Sequence, residues 1–272
     1  MVEAGKIKIG GNNPFVLIAG PCVVENRDIA FRTAEEIKKI TGSLGIPYIY
    51  KSSYKKANRT SVNSFIGLGD EEALNILADI KEAFGMPVLT DVHTDIECIE
   101  AAKRVDILQI PAFLCRQTEL LQAAGRTGKI VNIKKGQFLA PADMKHAAEK
   151  VKATGNDKIL FTERGTTFGY NNLVVDMRSL VIMRKLGYPV VMDATHSVQM
   201  PGTGDVTGGT PEFIPYLAKA AAAVGIDALF LEVHPDPSKA MSDAASQLPL
   251  SGLERLLVEI KKIDGLVKNY DL

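Results

Sequence analysis

Cys22, His196 and Glu232 lie far apart in the chain, yet each ends or follows a short apolar run. A thiolate, an imidazole and a carboxylate are ligands for a divalent transition metal such as Zn2+, Fe2+, Mn2+ or Co2+, and Asp243 could add a second carboxylate. Taken singly, each has a plainer reading: a lone Cys is usually a small core residue, and a lone His is often just hydrogen-bonded. A second set is cationic. Lys51 ends one apolar run, with Lys55, Lys56 and Arg59 close behind. Lys134 ends another, and Arg164 follows a third. Converging ammonium and guanidinium groups suit phosphate and carboxylate, because the guanidinium fork pairs two oxygens at once. A solvated rim is the plain reading for Lys55 and Lys135. Together the two sets describe a small polyanion held beside a metal.

The elements that must bring these residues together are legible as eight apolar runs, at 15–20, 48–50, 88–89, 107–110, 130–133, 159–161, 190–192 and 228–231. Helical patterns separate them. Leu253, Leu256, Leu257, Ile260 and Ile263 fall on one face of the last helix, and Leu74, Leu77, Lys81 and Phe84 track one side of a helix over 71–84. Further helices are predicted over 28–41, 95–104, 118–124, 141–153, 179–185 and 211–224. Alternating strands and helices imply parallel neighbours joined by crossovers. Eight units without a compositional break predict an α/β (β/α)8 TIM barrel, with a doubly wound open sheet as the rival. In a barrel, chemistry sits at the C-terminal strand ends. Closure would make strands seven, eight and one neighbours, and so gather Cys22, His196 and Glu232. Because side chains alternate along a strand, Lys134 should share the inner face with Asn132, while Val131 and Ile133 face the helices. Residues 6–9, followed by a turn-rich 10–14, predict a short strand or hairpin before the barrel.

The 272 residues predict a single domain over 1–272, close to the usual length of about 250 for this fold. The formal net charge is zero, which gives no global pull toward nucleic acid or membrane. Three cysteines fit a reducing compartment rather than a disulfide scaffold, and Cys98 and Cys115 fall in or beside helices as structural residues. Neither a signal core nor a membrane span is visible, so the expected location is cytoplasmic. Three connections are long, at 52–70, 200–210 and 234–251. The second carries four glycines and reads as a lid.

Several segments match a known family in register. They are Ile18-Ala19-Gly20-Pro21-Cys22, Lys51-Ser52-Ser53, Lys56-Ala57-Asn58-Arg59, Gln109-Ile110-Pro111-Ala112-Phe113-Leu114, Arg116-Gln117-Thr118, Lys134-Lys135-Gly136-Gln137-Phe138, Glu163-Arg164-Gly165 with Phe168-Gly169-Tyr170-Asn171-Asn172-Leu173, Asp193-Ala194-Thr195-His196-Ser197 and Glu232-Val233-His234-Pro235. From about Pro14 onward the chain resembles the 3-deoxy-D-manno-octulosonate 8-phosphate synthases.

The resemblance implies condensation of phosphoenolpyruvate with arabinose 5-phosphate and water, release of inorganic phosphate, and a homotetramer serving lipopolysaccharide biosynthesis. It also implies roles. Lys56, Lys134 and Arg164 match the phosphoenolpyruvate site, beside Gln109 and the Ala112 backbone. Asn58 and Arg59 match the sugar-phosphate site, with Lys51 among the substrate-facing cations. Arg116 matches an arginine that reaches a neighbouring subunit. Cys22, His196, Glu232 and Asp243 match the ligands of the metal-dependent subtype, in which Cys replaces the Asn of the other. Beyond the resemblance, His196 could help pass a proton through water, and Asp91 and His93, after strand three, have no family role and could face sugar hydroxyls. Thr60, Asn63 and Ile66 depart from the usual Ser, His and Arg. The related heptulosonate synthases, which use erythrose 4-phosphate, carry Lys-Pro-Arg-Thr where this chain has Lys56-Ala57-Asn58-Arg59, so Asn58 favours the five-carbon sugar. A sugar-phosphate sensor without catalysis is the remaining alternative.

Overall fold

A computed structural model describes residues 1–57, 65–167, 169–200 and 208–269. In chain order its strands are β1 (Val2–Ala4), β2 (Ile7–Ile9), β3 (Val16–Gly20), β4 (Tyr48–Lys51), β5 (Val88–Asp91), β6 (Ile107–Ile110), β7 (Ile130–Lys134), β8 (Ile159–Glu163), β9 (Val190–Asp193), β10 (Gln199–Met200), β11 (Gly208–Gly209), β12 (Ala228–His234) and β13 (Leu248–Pro249). The helices are α1 (Arg27–Leu44), α2 (Asp70–Phe84), α3 (Asp95–Ala102), α4 (Thr118–Arg126), α5 (Met144–Lys152), α6 (Arg178–Arg184), α7 (Ile214–Val224) and α8 (Leu253–Lys268).

Strands β3 to β9 pair in sequence, all parallel, and β12 pairs with both β9 and β3, which closes an eight-stranded barrel. The predicted (β/α)8 fold is what forms, and the open-sheet rival is excluded by that closure. The N-terminal hairpin is present too: Val2 pairs with Ile9 and Ala4 with Ile7, antiparallel.

Most strands run past their apolar runs to include the polar residue that follows. Lys51, Asp91, Lys134, Glu163 and Asp193 are each the last residue of a strand. The ladder therefore fixes the chemistry-bearing positions rather than leaving them to loops. Ile130 and Leu160 belong to an inner cluster with Ile18, Leu89 and Phe230, beneath which Val2 and Ile9 of the hairpin also pack. Val131, Ile133 and Phe161 belong to the outer layer, packed against helices. Each fully buried Leu or Ile of these layers contributes about 1.5–3 kcal/mol. The two-residue period thus sends alternate residues of one strand into two separate cores.

Local signals set the helix ends. The Asn26 side chain accepts from the Ile29 N–H at the start of α1, and Gly45 ends that helix at φ 63°. Thr94 caps α3 through the Glu97 N–H, while Glu97 accepts from the His93 N–H. The predicted lid falls mostly outside the described residues, as do Asn58, Arg59, Thr60 and Asn63. No helix among the described residues is long and apolar enough to cross a membrane.

Candidate active site and metal centre

The C-terminal strand ends converge as barrel closure requires. Cys22 follows β3, and Glu232 lies in β12, opposite Gly20 in the ladder. Asp243 arrives on the connection after β12, with a left-handed backbone at φ 49°. Ligand atoms of Cys22, Glu232 and Asp243 all lie within 4.8 Å of one another. Cys22 Sγ is 3.2 Å from both Asp243 Oδ2 and Ser242 Oγ. Gln247 braces this corner, accepting from the Cys22 N–H and donating to the Ser242 carbonyl.

His196, the fourth predicted ligand, stands beside this trio rather than inside it. Its Nε2 is 3.6 Å from Glu232 Oε1. Its Nδ1 is 2.7 Å from Asp193 Oδ2. A carboxylate only accepts, so Nδ1 donates to Asp193, and Nε2 is the ring nitrogen that faces Glu232. The donor set fits a divalent metal on its own chemistry. Burial, then the charges of Asp243 and Glu232, push the Cys22 thiol up from its ordinary range. Glu232 stays ionised although burial opposes it, because Lys51, His196 and Lys56 hold its carboxyl well below the usual range. Its Oε2 is buried without a hydrogen-bond partner among the described residues. A cation lodged among the three groups would satisfy that oxygen and favour the thiolate.

Three of the predicted cations are buried across the mouth: Lys56 and Arg164 at 6 % exposure and Lys134 at 5 %. Lys134 Nζ donates to Asp193 Oδ2 at 2.6 Å and lies 4.3 Å from the centre of the Phe230 ring. Burial and the nearby Lys51 charge push Lys134 down, against the pull of Asp193. Arg164 donates through Nη2 to Gln199 Oε1 at 2.6 Å. Its Nη1 is buried with no hydrogen-bond partner among the described residues. A buried guanidinium with an unused donor is costly unless something anionic arrives.

Lys51 is spoken for: its ammonium lies 2.5 Å from Glu232 Oε1. Gln109 is also engaged, as a link in a belt across five strands or strand ends. Asp91 accepts from Ser53 Oγ at 2.8 Å and from Gln109 Nε2 at 2.7 Å. Gln109 Oε1 accepts from Asn132, whose own Oδ1 accepts from Thr162. The belt floors the mouth and aims Asp91. Ala112 opens a short 3-10 turn after β6. Arg116 stands apart, exposed, lining a cavity of about 440 Å³ with Cys115, Asp143, His146 and Lys150. Ile66, at a position where a cation was expected, is 56 % exposed.

Asp193 stands in a matched segment with no role implied for it, and Gln199 and Ser242 were not singled out from sequence. Asp193 had a signal, since a strand-end carboxylate three residues before a His can orient its ring. Gln199 and Ser242 had none.

The sequence pattern of the DAHP synthetase I family matches residues 1–269. A protein of Rickettsia canadensis (strain McKiel), 57% identical over 98% of both chains, is named 2-dehydro-3-deoxyphosphooctonate aldolase. So are those of Geotalea uraniireducens (strain Rf4), at 57%, and Geobacter metallireducens, at 56%, each over 98% of both chains. On these matches the chain belongs to the DAHP synthetase I family and is one of its carbon–carbon bond-forming enzymes.

Proposed function

We propose that this enzyme condenses phosphoenolpyruvate with arabinose 5-phosphate and water, giving 3-deoxy-D-manno-octulosonate 8-phosphate and inorganic phosphate for lipopolysaccharide biosynthesis. The observation that carries the reading is Arg164 Nη1, buried with no hydrogen-bond partner among the described residues, across the mouth from the Cys22, Glu232 and Asp243 cluster. The shared name of the relatives supports it.

Lys134 and Arg164 hold the phosphate, and Lys56 faces the carboxylate. Fixing the enol in this way supplies the proximity that an intermolecular carbon–carbon bond needs. Asn58 and Arg59 take the sugar phosphate, and Asp91, aimed by Ser53 and Gln109, faces sugar hydroxyls. His196, fixed by Asp193, passes a proton through water as water adds at C2 and the aldehyde oxygen gains charge. Cys22, His196, Glu232 and Asp243 hold a divalent transition metal, Zn, Fe, Mn or Co. When bound, the metal supplies Lewis-acid or water-activating chemistry. Arg116 serves a neighbouring subunit's site in a homotetramer. The enzyme is cytoplasmic, where both phosphorylated substrates reside.

The test is phosphate release from phosphoenolpyruvate with arabinose 5-phosphate or erythrose 4-phosphate, each with and without chelator, alongside elemental analysis. Release with the five-carbon sugar, lost on chelation, is expected. Preference for erythrose 4-phosphate would reassign the substrate, and no release with either would leave a binding protein. Arg164→Ala is expected to raise KM for phosphoenolpyruvate at least tenfold, and an unchanged KM and turnover would remove the phosphate assignment.

A further inference from the structure

We propose that Glu163 is a positioning residue, which acts from the outer side of the barrel wall to set the backbone that aims Arg164 into the mouth. The proposal rests on the assignment of Arg164 to an anionic substrate group. Strand β8 alternates: Leu160 packs in the inner cluster and Phe161 in the outer one. Thr162 points inward, where its hydroxyl reaches Asn132. Glu163 therefore faces the helices and Arg164 the interior.

The Glu163 carboxylate is 1 % exposed, and both its oxygens are used. Oε1 accepts from the Arg164 N–H at 2.9 Å and the Gly165 N–H at 2.8 Å. Oε2 accepts from Ser179 Oγ, at the start of α6, at 2.5 Å. One oxygen thus captures two consecutive peptide N–H groups just where the strand ends. The chain turns there through Gly165 at φ 96°, a left-handed conformation that favours glycine. Fixing those two peptide planes fixes the direction in which the Arg164 side chain leaves the backbone.

The charge of this buried acid is balanced from the neighbouring strand. Lys135 Nζ lies 3.4 Å from Glu163 Oε1 and also donates to the carbonyls of Gly136 and Leu139. Lys134 and Arg164 point into the mouth, and the adjacent Lys135 and Glu163 pair with each other behind the wall. A single outer ion pair braces the ends of both strands that carry the inner cations. Glu163 and Lys135 lie on the helix side of the wall, so the effect on Arg164 runs chiefly through the two captured peptide N–H groups, beside the charge attraction of the nearby carboxylate.

The test is a kinetic double-mutant cycle on the metal-loaded enzyme, read with thermal unfolding. Glu163→Ala is expected to raise KM for phosphoenolpyruvate at least tenfold and leave KM for arabinose 5-phosphate and the bound metal within twofold. Glu163→Gln keeps an oxygen for the two N–H groups, so it should recover most of the loss. Glu163→Ala combined with Arg164→Ala should be no worse than Arg164→Ala alone, because the first acts through the second. Additive losses, or a lowered Tm with unchanged KM, would overturn the proposal. Should Glu163→Ala not fold, Ser179→Ala is read instead. It is expected to raise KM for phosphoenolpyruvate two- to threefold, and no change overturns the proposal. An Arg164→Ala enzyme with unchanged KM defeats the phosphate assignment instead, and the two failures are thereby told apart.

Discussion

Lys51 Nζ lies 2.5 Å from Glu232 Oε1, joining the end of β4 to β12 across the barrel mouth. Both side chains are fully buried, at 1 % and 0 % exposure. The other carboxylate oxygen, Oε2, has no partner among the described residues. One side of Glu232 is thus neutralised by an ammonium from within, while the other is available to a cation beside Cys22 and Asp243. The pair keeps the carboxylate ionised and oriented before any metal binds.

Breaking such a pair from the cationic side leaves a buried charge without its nearest partner. Lys51→Met is expected to destabilise the metal-free protein by about 3–5 kcal/mol. Lys56, 3.8 Å away, and His196, 3.6 Å away, are too far to replace the close contact. Bound metal supplies the missing positive charge. Thermal unfolding with and without chelator should therefore show a larger metal-dependent rise in Tm for Lys51→Met than for the parent. An equal rise in both would mean that Glu232 does not share its charge between the two.

Cys22→Ala removes the only sulfur in the cluster. Bound metal per chain, by elemental analysis, should fall to a small fraction of the parent value, and phosphate release should drop to a floor that chelator no longer lowers. Full turnover in a demetallated Cys22→Ala enzyme would sink the metal assignment.

The strand-end positions were legible because a two-residue period and a terminal polar residue are local signals. Lys134 inward and Val131 and Ile133 outward follow from alternation alone. Lys135 shows where the reading stops. Its charge and position suggested a solvated rim, yet it is 1 % exposed and paired with Glu163. Nothing local marks that pairing, since it depends on which strands lie side by side and how far each side chain reaches. The Lys51–Glu232 pair spans 181 positions in the chain and was invisible for the same reason. His234, two residues after Glu232, is a link in the scaffold. Its Nδ1 accepts from the Asp236 N–H, and its Nε2 lies 3.5 Å from Glu25, which in turn accepts from the Met241 N–H near Asp243.

Gly20 and Gly42 make a paired prediction of opposite sign. A Cβ on Gly20 would lie 2.1 Å from the Lys51 carbonyl oxygen, a backbone atom that can retreat only if β3 and β4 separate. Gly20→Ala is therefore expected to cost more than about 4 kcal/mol, or to prevent folding, and to displace Cys22 two residues on. A Cβ on Gly42, inside α1, meets nothing within 4 Å. Gly42→Ala should stabilise the protein by about 0.5–1 kcal/mol through helix propensity. Denaturant unfolding of both variants checks the contrast, and a tolerated Gly20→Ala would contradict the close approach of the two strands.

Asp91 gives the protein part of its acid sensitivity. Burial would raise its carboxyl, but the charges of Lys51, Lys56, Lys134 and His93 outweigh that and hold it at about 2, against an ordinary 3.8. A depressed carboxyl contributes stability that is fully present above its unfolded value and is lost as pH falls through the folded one. The window is therefore pH 4 down to 2, and the contribution above it is on the order of 2 kcal/mol. Asp91→Asn loses that term at every pH. It also leaves an amide donor facing Ser53 or Gln109, a cost independent of pH. Plotted against pH, Tm of Asp91→Asn should lie below the parent by a constant amount at neutral pH, and the gap should narrow between pH 4 and 2. A gap that stayed constant through that range would show that Asp91 is not held ionised by the surrounding cations.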